Sequence, residues 1–155
     1  MNPLSILRHQ PGARAVVRGG TVTGEIRFFQ TDRGVLVQAE LFGLPHSGEV
    51  CRSGVFAFHI HIGRCAADHP DDPSAHVEGH YNPDDCPHPH HAGDLPPLFA
   101  SRDGYAFQTV LTDRFSLQEI IGKAVVVHAQ RDDFTTQPSG DPGILIACGE
   151  IRPMA

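Results

Sequence analysis

Short apolar runs with a two-residue period recur along this chain, separated by turn residues, and no stretch sustains a helical period. Residues two apart on a strand share a face, so such a chain hides its apolar side chains in a sheet. The runs fall at residues 15–17, 21–30, 35–44, 55–62, 105–111, 124–130 and 144–151. Asp32-Arg33-Gly34 and Arg102-Asp103-Gly104 carry hairpin-turn chemistry. Residues 112–122 hold one short helical turn, with Ser116 as its cap, and then a loop. Thirteen prolines and sixteen glycines fit frequent turns. The pattern predicts an all-β fold, an antiparallel Greek-key barrel or sandwich of seven or eight short strands.

The 155 residues suffice for one domain spanning 1–155, with 1–20 as an N-terminal extension that covers an edge or forms an interface. Residues 64–98 break the short-loop rule: this segment is rich in Pro, Asp and His, and an irregular loop of that length is uncommon unless it is functional. A second irregular stretch covers 132–141. The net charge of −6 argues against nucleic acid and anionic membrane surfaces as partners, and its field repels an anionic substrate. No apolar run reaches the roughly 18–20 residues of a membrane span. Arg8, His9, Gln10, Pro11, Gly12 and Arg14 interrupt the first twenty residues, which make a poor signal peptide. The expected compartment is the cytoplasm, or the periplasm or extracellular space if a leader precedes this sequence. The cysteines are Cys51, Cys65, Cys86 and Cys148; no CxxC spacing supports a zinc ribbon or a thioredoxin motif, and spacing does not choose among the three possible pairings.

The histidines carry the chemistry. In the run at 55–62, Phe56, Phe58, Ile60 and Ile62 line one face, and Ala57, His59 and His61 the other. Two imidazoles at i and i+2 are close enough for one metal. Val126 and His128 share a face by the same rule, so a third imidazole is available from another strand. The plain reading of the pair is an exposed polar face. In the long loop, His80, His88, His91 and Asp94 fall within fifteen residues and form a good tetrahedral zinc set. Pro83, Pro87 and Pro89 stiffen the path between them. The alternative is a solvated polar loop. His90 competes with its neighbours as a ligand, and His69 and His76 lack matching partners.

Five motifs in order resemble the copper,zinc superoxide dismutase family, from about residue 21 to 152. They are Phe58-His59-Ile60-His61, Gly79-His80-Tyr81-Asn82-Pro83, His91-Ala92-Gly93-Asp94-Leu95, Val126-Val127-His128 followed by Asp132-Asp133, and Ala147-Cys148-Gly149. The resemblance implies a copper site of His59, His61, His80 and His128, and a zinc site of His80, His88, His91 and Asp94. His80 is then the shared imidazolate and the proton donor in catalysis. Asp132 is implied as the carboxylate joining a copper histidine to a zinc histidine. Cys65 and Cys148 fall where the family has its intrasubunit disulfide, and a second bridge between Cys51 and Cys86 is a further expectation. The implied activity is conversion of superoxide to dioxygen and hydrogen peroxide by copper redox cycling, in a monomer or a homodimer.

One family position departs. An arginine normally stands beside the copper, two residues after a Gly-x-x-Gly turn; here the run is Gly140-Asp141-Pro142-Gly143-Ile144-Leu145, which puts Leu145 there. Leucine neither attracts nor hydrogen-bonds an anion. The expectation is a slow dismutase, with Arg131, and less directly Arg64 or Arg152, as substitutes for the guiding charge. The alternative is a non-catalytic zinc- or copper-binding protein on the same fold.

Overall fold

The computed structural model describes residues 3–51, 54–66, 69 and 71–155. Residues 1–2 of the expected extension and 67, 68 and 70 of the long loop lie outside the described residues. The elements in chain order are α1 (Pro3–Ile6), β1 (Ala13–Gly19), β2 (Val22–Thr31), β3 (Gly34–Phe42), β4 (Val55–Phe56), β5 (Phe58–Gly63), β6 (Val77–His80), β7 (Leu98–Phe99), β8 (Ala106–Thr112), α2 (Leu117–Ile120), β9 (Ala124–His128) and β10 (Leu145–Pro153).

Eight strands form one curled antiparallel sheet in the order β6-β5-β9-β10-β1-β2-β3-β8, and β4 pairs with β7 in a separate ribbon. β3 lies beside β8 and β5 beside β9, so the connections from β3 to β5 and from β8 to β9 cross between the two halves. This is the Greek-key arrangement. Inward-facing residues make the core: Ala13, Ala15 and Val17 of β1, Ile26 and Phe28 of β2, Val35, Val37, Ala39 and Leu41 of β3, and Val125 and Val127 of β9 are all buried. Alternation on β1 is complete, buried and exposed by turns, which is what a half-buried strand requires.

The structure revises three expectations. Residues 13–19 are no appendage: β1 is hydrogen-bonded between β10 and β2 in the body of the sheet. Ile62 does not join the core with Phe56, Phe58 and Ile60; it is 42% exposed, because β5 ends there against the irregular pairing with β6. The long loop contains β6, whose His80 pairs with His61 and extends the sheet by one strand. The short helix forms where expected, with the Glu119 carboxylate accepting the Ser116 N–H at 2.6 Å. No helix among the described residues is long and apolar enough to cross a membrane.

Candidate metal centre

His59 and His61 project from the face of β5 opposite Phe58 and Ile60, and they pair across to Val126 and Ala124 of β9. His128 closes β9, its N–H donating to the Ala57 carbonyl. β6 delivers His80 directly beside His61. The chain then folds back over β5. Ile60 N–H donates to Gly93 O, Tyr81 N–H to Ile60 O, and Gly93 N–H to Tyr81 O, each at 2.8 Å. A Cβ on Gly93 would lie 2.3 Å from the Ile60 carbonyl, so only glycine allows this approach. His88, His91 and Asp94 thereby land against the histidines of the sheet.

His59, His61, His80, His88, His91, Asp94, His128 and Asp132 are all buried, at 9% exposure or less. Two subclusters emerge. His59, His61 and His128 offer ligand atoms within 4.8 Å of one another, as do His59, His80, His88 and Asp94. The shorter distances refine the second set. His80 Nδ1 lies 2.8 Å from Asp94 Oδ1 and 3.1 Å from His91 Nδ1. Asp94 Oδ2 lies 3.1 Å from His88 Nδ1 and 3.4 Å from His91 Nδ1. His59 Nε2 is meanwhile committed to Asp132 at 2.7 Å, so His91 is the better fourth member. Ligand atoms around tetrahedral zinc at about 2.0–2.1 Å are roughly 3.3 Å apart, close to this spacing.

Asp132 accepts from His59 Nε2 through one oxygen at 2.7 Å and from His88 Nε2 through the other at 2.8 Å. His61 donates its Nδ1–H to the Glu78 carbonyl at 2.8 Å. These bonds fix which ring nitrogen keeps its lone pair. Five buried ring nitrogens then have no hydrogen-bond partner: His59 Nδ1, His61 Nε2, His80 Nε2, His88 Nδ1 and His128 Nδ1. Leaving one buried polar atom unsatisfied costs about 1–3 kcal/mol, so five in one place mark a site built for a ligand. His80 is distinctive: Nδ1 points into the Asp94 cluster, while Nε2 is among the orphans and its ring sits 4.6 Å from that of His61.

Burial pushes the His61 imidazolium down to about 3 and that of His128 to about 4. It also lowers His59 and His91. Asp132 is raised by burial, but its bonds to His59 and His88 outweigh that and bring it to about 2. Asp94 is likewise held below its ordinary value despite burial, by His80 and the neighbouring histidines. At neutral pH His59, His61, His91 and His128 are neutral imidazoles and Asp94 and Asp132 ionised carboxylates, the state that binds metal.

The remaining expected residues divide. The Cys65–Cys148 disulfide is formed, Cα–Cα 5.8 Å, and ties the start of the long loop to β10. Cys51 and Cys86 are free thiols, which corrects the expected second bridge. Cys51 lies exposed between β3 and β4, and the Cys86 amide is instead held by the Asn82 side chain. Leu145 is the cross-strand partner of His128 and packs against the small cluster of Ala124, Val126 and Cys148. Arg131 and Arg64 are exposed, and Arg152 pairs with Glu150 at 3.4 Å. His90 is exposed, outside the cluster, and His69 and His76 lie near each other with ring centroids 5.3 Å apart.

Three supporting residues escaped sequence reasoning. Gln137 clamps both backbone groups of His88, at 2.9 and 2.7 Å. Arg114 donates to the Pro89 and His91 carbonyls. Gly140, at φ +80°, leaves room for the Asp132–His88 bond. Only Gly140 left a trace in the sequence, as the first glycine of the Gly140-x-x-Gly143 turn.

The copper/zinc superoxide dismutase (SODC) family model matches residues 22–151. The chain belongs to that family. It is 34% identical over 136 residues to the Cu-Zn superoxide dismutase of Legionella pneumophila, covering 83% of this chain and 77% of that protein. It is 35% identical over 155 residues to a Cu-Zn superoxide dismutase of Aquifex aeolicus, covering 90% and 86%. Among solved structures, a superoxide dismutase-like protein from Bacillus subtilis superposes with a TM-score of 0.71 at 28% identity, covering 88% of this chain and 96% of that one.

Proposed function

We propose that this member of the copper/zinc superoxide dismutase family binds both metals at the buried histidine cluster and disproportionates superoxide to dioxygen and hydrogen peroxide. The observation that carries the reading is His80, whose Nδ1 lies in the Asp94 cluster while its Nε2 is buried without a partner and its ring sits 4.6 Å from that of His61. His59 Nδ1, His61 Nε2, His80 Nε2 and His128 would hold copper. His80 Nδ1, His88 Nδ1, His91 Nδ1 and Asp94 would hold zinc. Copper supplies the one-electron exchange with superoxide, and zinc a fixed positive charge.

The chain's own residues do the rest. Asp132 and the Glu78 carbonyl orient His59, His88 and His61. His80 Nε2 is the atom at which a proton bound for peroxide is held. The β5 and β9 backbones keep the ligands rigid. No cation stands at Leu145, so anion guidance is weak, and Arg131, three residues after His128, is the candidate substitute. The expected dismutation is slow, on the order of ten- to a hundredfold below a member with the arginine, for the loss of a charged hydrogen bond.

Leu145 equally favours a second reading, a metal-binding protein without dismutase activity. The rate of dismutation per bound copper, on protein loaded with both metals, separates the two. A rate that falls with salt supports guidance by a local cation such as Arg131. A salt-insensitive rate supports copper chemistry without guidance. Full copper occupancy with no rate moves the function to metal binding. A titration in which only zinc binds removes the enzymatic reading.

A further inference from the structure

A groove of about 590 Å³ on the outer face of the sheet lies over the Cys65–Cys148 disulfide, and none of the buried histidines or aspartates of the candidate metal centre lines it. Its walls carry three guanidinium groups, Arg14, Arg18 and Arg152, against one carboxylate, Glu150. The β1–β10 register explains the arrangement. Arg18 stands directly opposite Cys148, and Arg14 directly opposite Arg152. Directly opposed residues project from the same face with Cβ atoms about 4.5–5.5 Å apart, so the Arg18 stem begins beside the Cys148 sulfur.

Folding alone gives no reason for this charge pattern. Arg14 also faces Arg27 on β2, and like charges placed opposite each other destabilise a sheet. The offsetting ion pairs are exposed and long: 3.9 Å for Arg14–Glu25 and 3.4 Å for Arg152–Glu150. Arg18 makes no ion pair among the described residues. In a chain with a net charge of −6, this is a local cationic site with spare capacity. The two sulfurs differ too: Cys148 is 6% exposed, whereas Cys65 is only partly buried.

We propose that the groove binds low-mass thiols that carry carboxylates and directs their thiolate onto the disulfide. The volume is that of a small-molecule site, and guanidinium forks match carboxylates. The incoming thiolate attacks the more accessible Cys65 sulfur. The Cys65–Cys148 bond breaks, its electron pair leaves with Cys148, and a mixed disulfide forms on Cys65. Arg18 and Arg152 hold the carboxylates of the incoming thiol beside the disulfide, so the gain belongs to thiols that carry carboxylates. A second thiolate attacks the small-molecule sulfur of the mixed disulfide. That step releases the oxidised dimer of the thiol and the Cys65 thiolate. Two small thiolates are oxidised, one protein disulfide is reduced, and water protonates the cysteines. None of these steps uses the metals.

The test is the rate of disulfide opening in the folded protein by glutathione, which carries two carboxylates, and by neutral 2-mercaptoethanol, each corrected to its thiolate concentration. Thiol trapping and mass measurement give the readout. Glutathione is expected to react roughly three- to tenfold faster per thiolate at low salt, with the advantage lost near 1 M salt. Arg18→Gln should abolish most of that advantage while Arg18→Lys retains it, and the mercaptoethanol rate should stay within about twofold in both. Arg152→Gln serves as an independent variant on the opposite wall. Equal rates for the two thiols at low salt would overturn the proposal. So would an equal effect of Arg18→Gln on both thiols, or no exchange with either thiol while the protein remains folded.

Discussion

Leu145 and Gly140 show how much a single side chain decides here. Leu145 faces His128 across the β9–β10 ladder and, partly buried, packs against the small cluster of Ala124, Val126 and Cys148. Leu145→Arg should raise dismutation per bound copper about ten- to a hundredfold and make it more sensitive to salt. Stopped-flow decay of superoxide at two ionic strengths checks both effects. Gly140 acts by having no side chain. A Cβ there would sit 2.0 Å from Asp132 Oδ1 and 2.7 Å from His88 Nε2, on a backbone at φ +80°. Gly140→Ala should therefore break the Asp132–His88 bond and weaken zinc binding on the order of ten- to a hundredfold. Competition against a chromogenic chelator measures the loss; unchanged affinity would mean that Asp132 does not orient His88.

At the scale of elements, the cluster depends on a loop held to a sheet. β6 pairs with β5, the residues around Gly93 hydrogen-bond to Ile60, and the disulfide fastens the loop's other end to Cys148 on β10. The bridge closes 83 residues of chain. Replacing Cys65 and Cys148 together by serine should cost the metal-free protein about 2–5 kcal/mol, measured by urea unfolding. The two strands that carry His59, His61 and His128 were legible, the first from its alternation and the second from its short apolar run. β6 was not, because Val77-Glu78-Gly79-His80 is too short and too polar to show a period, and its place in the sheet is set by its neighbours. The cysteine pairing was legible only through the family resemblance. The expected Cys51–Cys86 bridge fails because nothing in the fold brings the two thiols together.

For the whole molecule, the buried imidazoles couple stability to pH. His61 and His128 titrate near 3 and 4 in the folded chain against 6.5 when unfolded. The unfolded chain thus binds more protons between these values, and stability falls as pH drops from about 6.5 toward 3. Asp132, lowered from 3.8 to about 2, extends the loss in the same direction below pH 4. Metal-free protein should melt at a progressively lower temperature from pH 7 to pH 5 to pH 4. A flat profile in calorimetry would mean that these histidines are not buried neutral in the metal-free state. Added zinc should raise the melting temperature at pH 7 by mass action.

The sequence by itself determined the fold class and which histidines and aspartates gather in the buried cluster, because alternation assigns strand faces and the histidine motifs stand in local order. It also exposed the leucine at the guiding position. Only the tertiary structure decided how these side chains are arranged. His80 Nδ1 lies against Asp94 and His91 while its Nε2 is left without a partner, Asp132 selects His59 and His88 as its partners, and Gln137 and Arg114 steady the loop from far along the chain. The same holds for β1, whose run at 15–17 reads as a strand but whose place between β10 and β2 that run does not give, and for the arginines gathered over the disulfide. The physical reason is common to all of these. Periodicity reports each strand's own faces, whereas register and long-range contacts are set by the strands and loops packed against it.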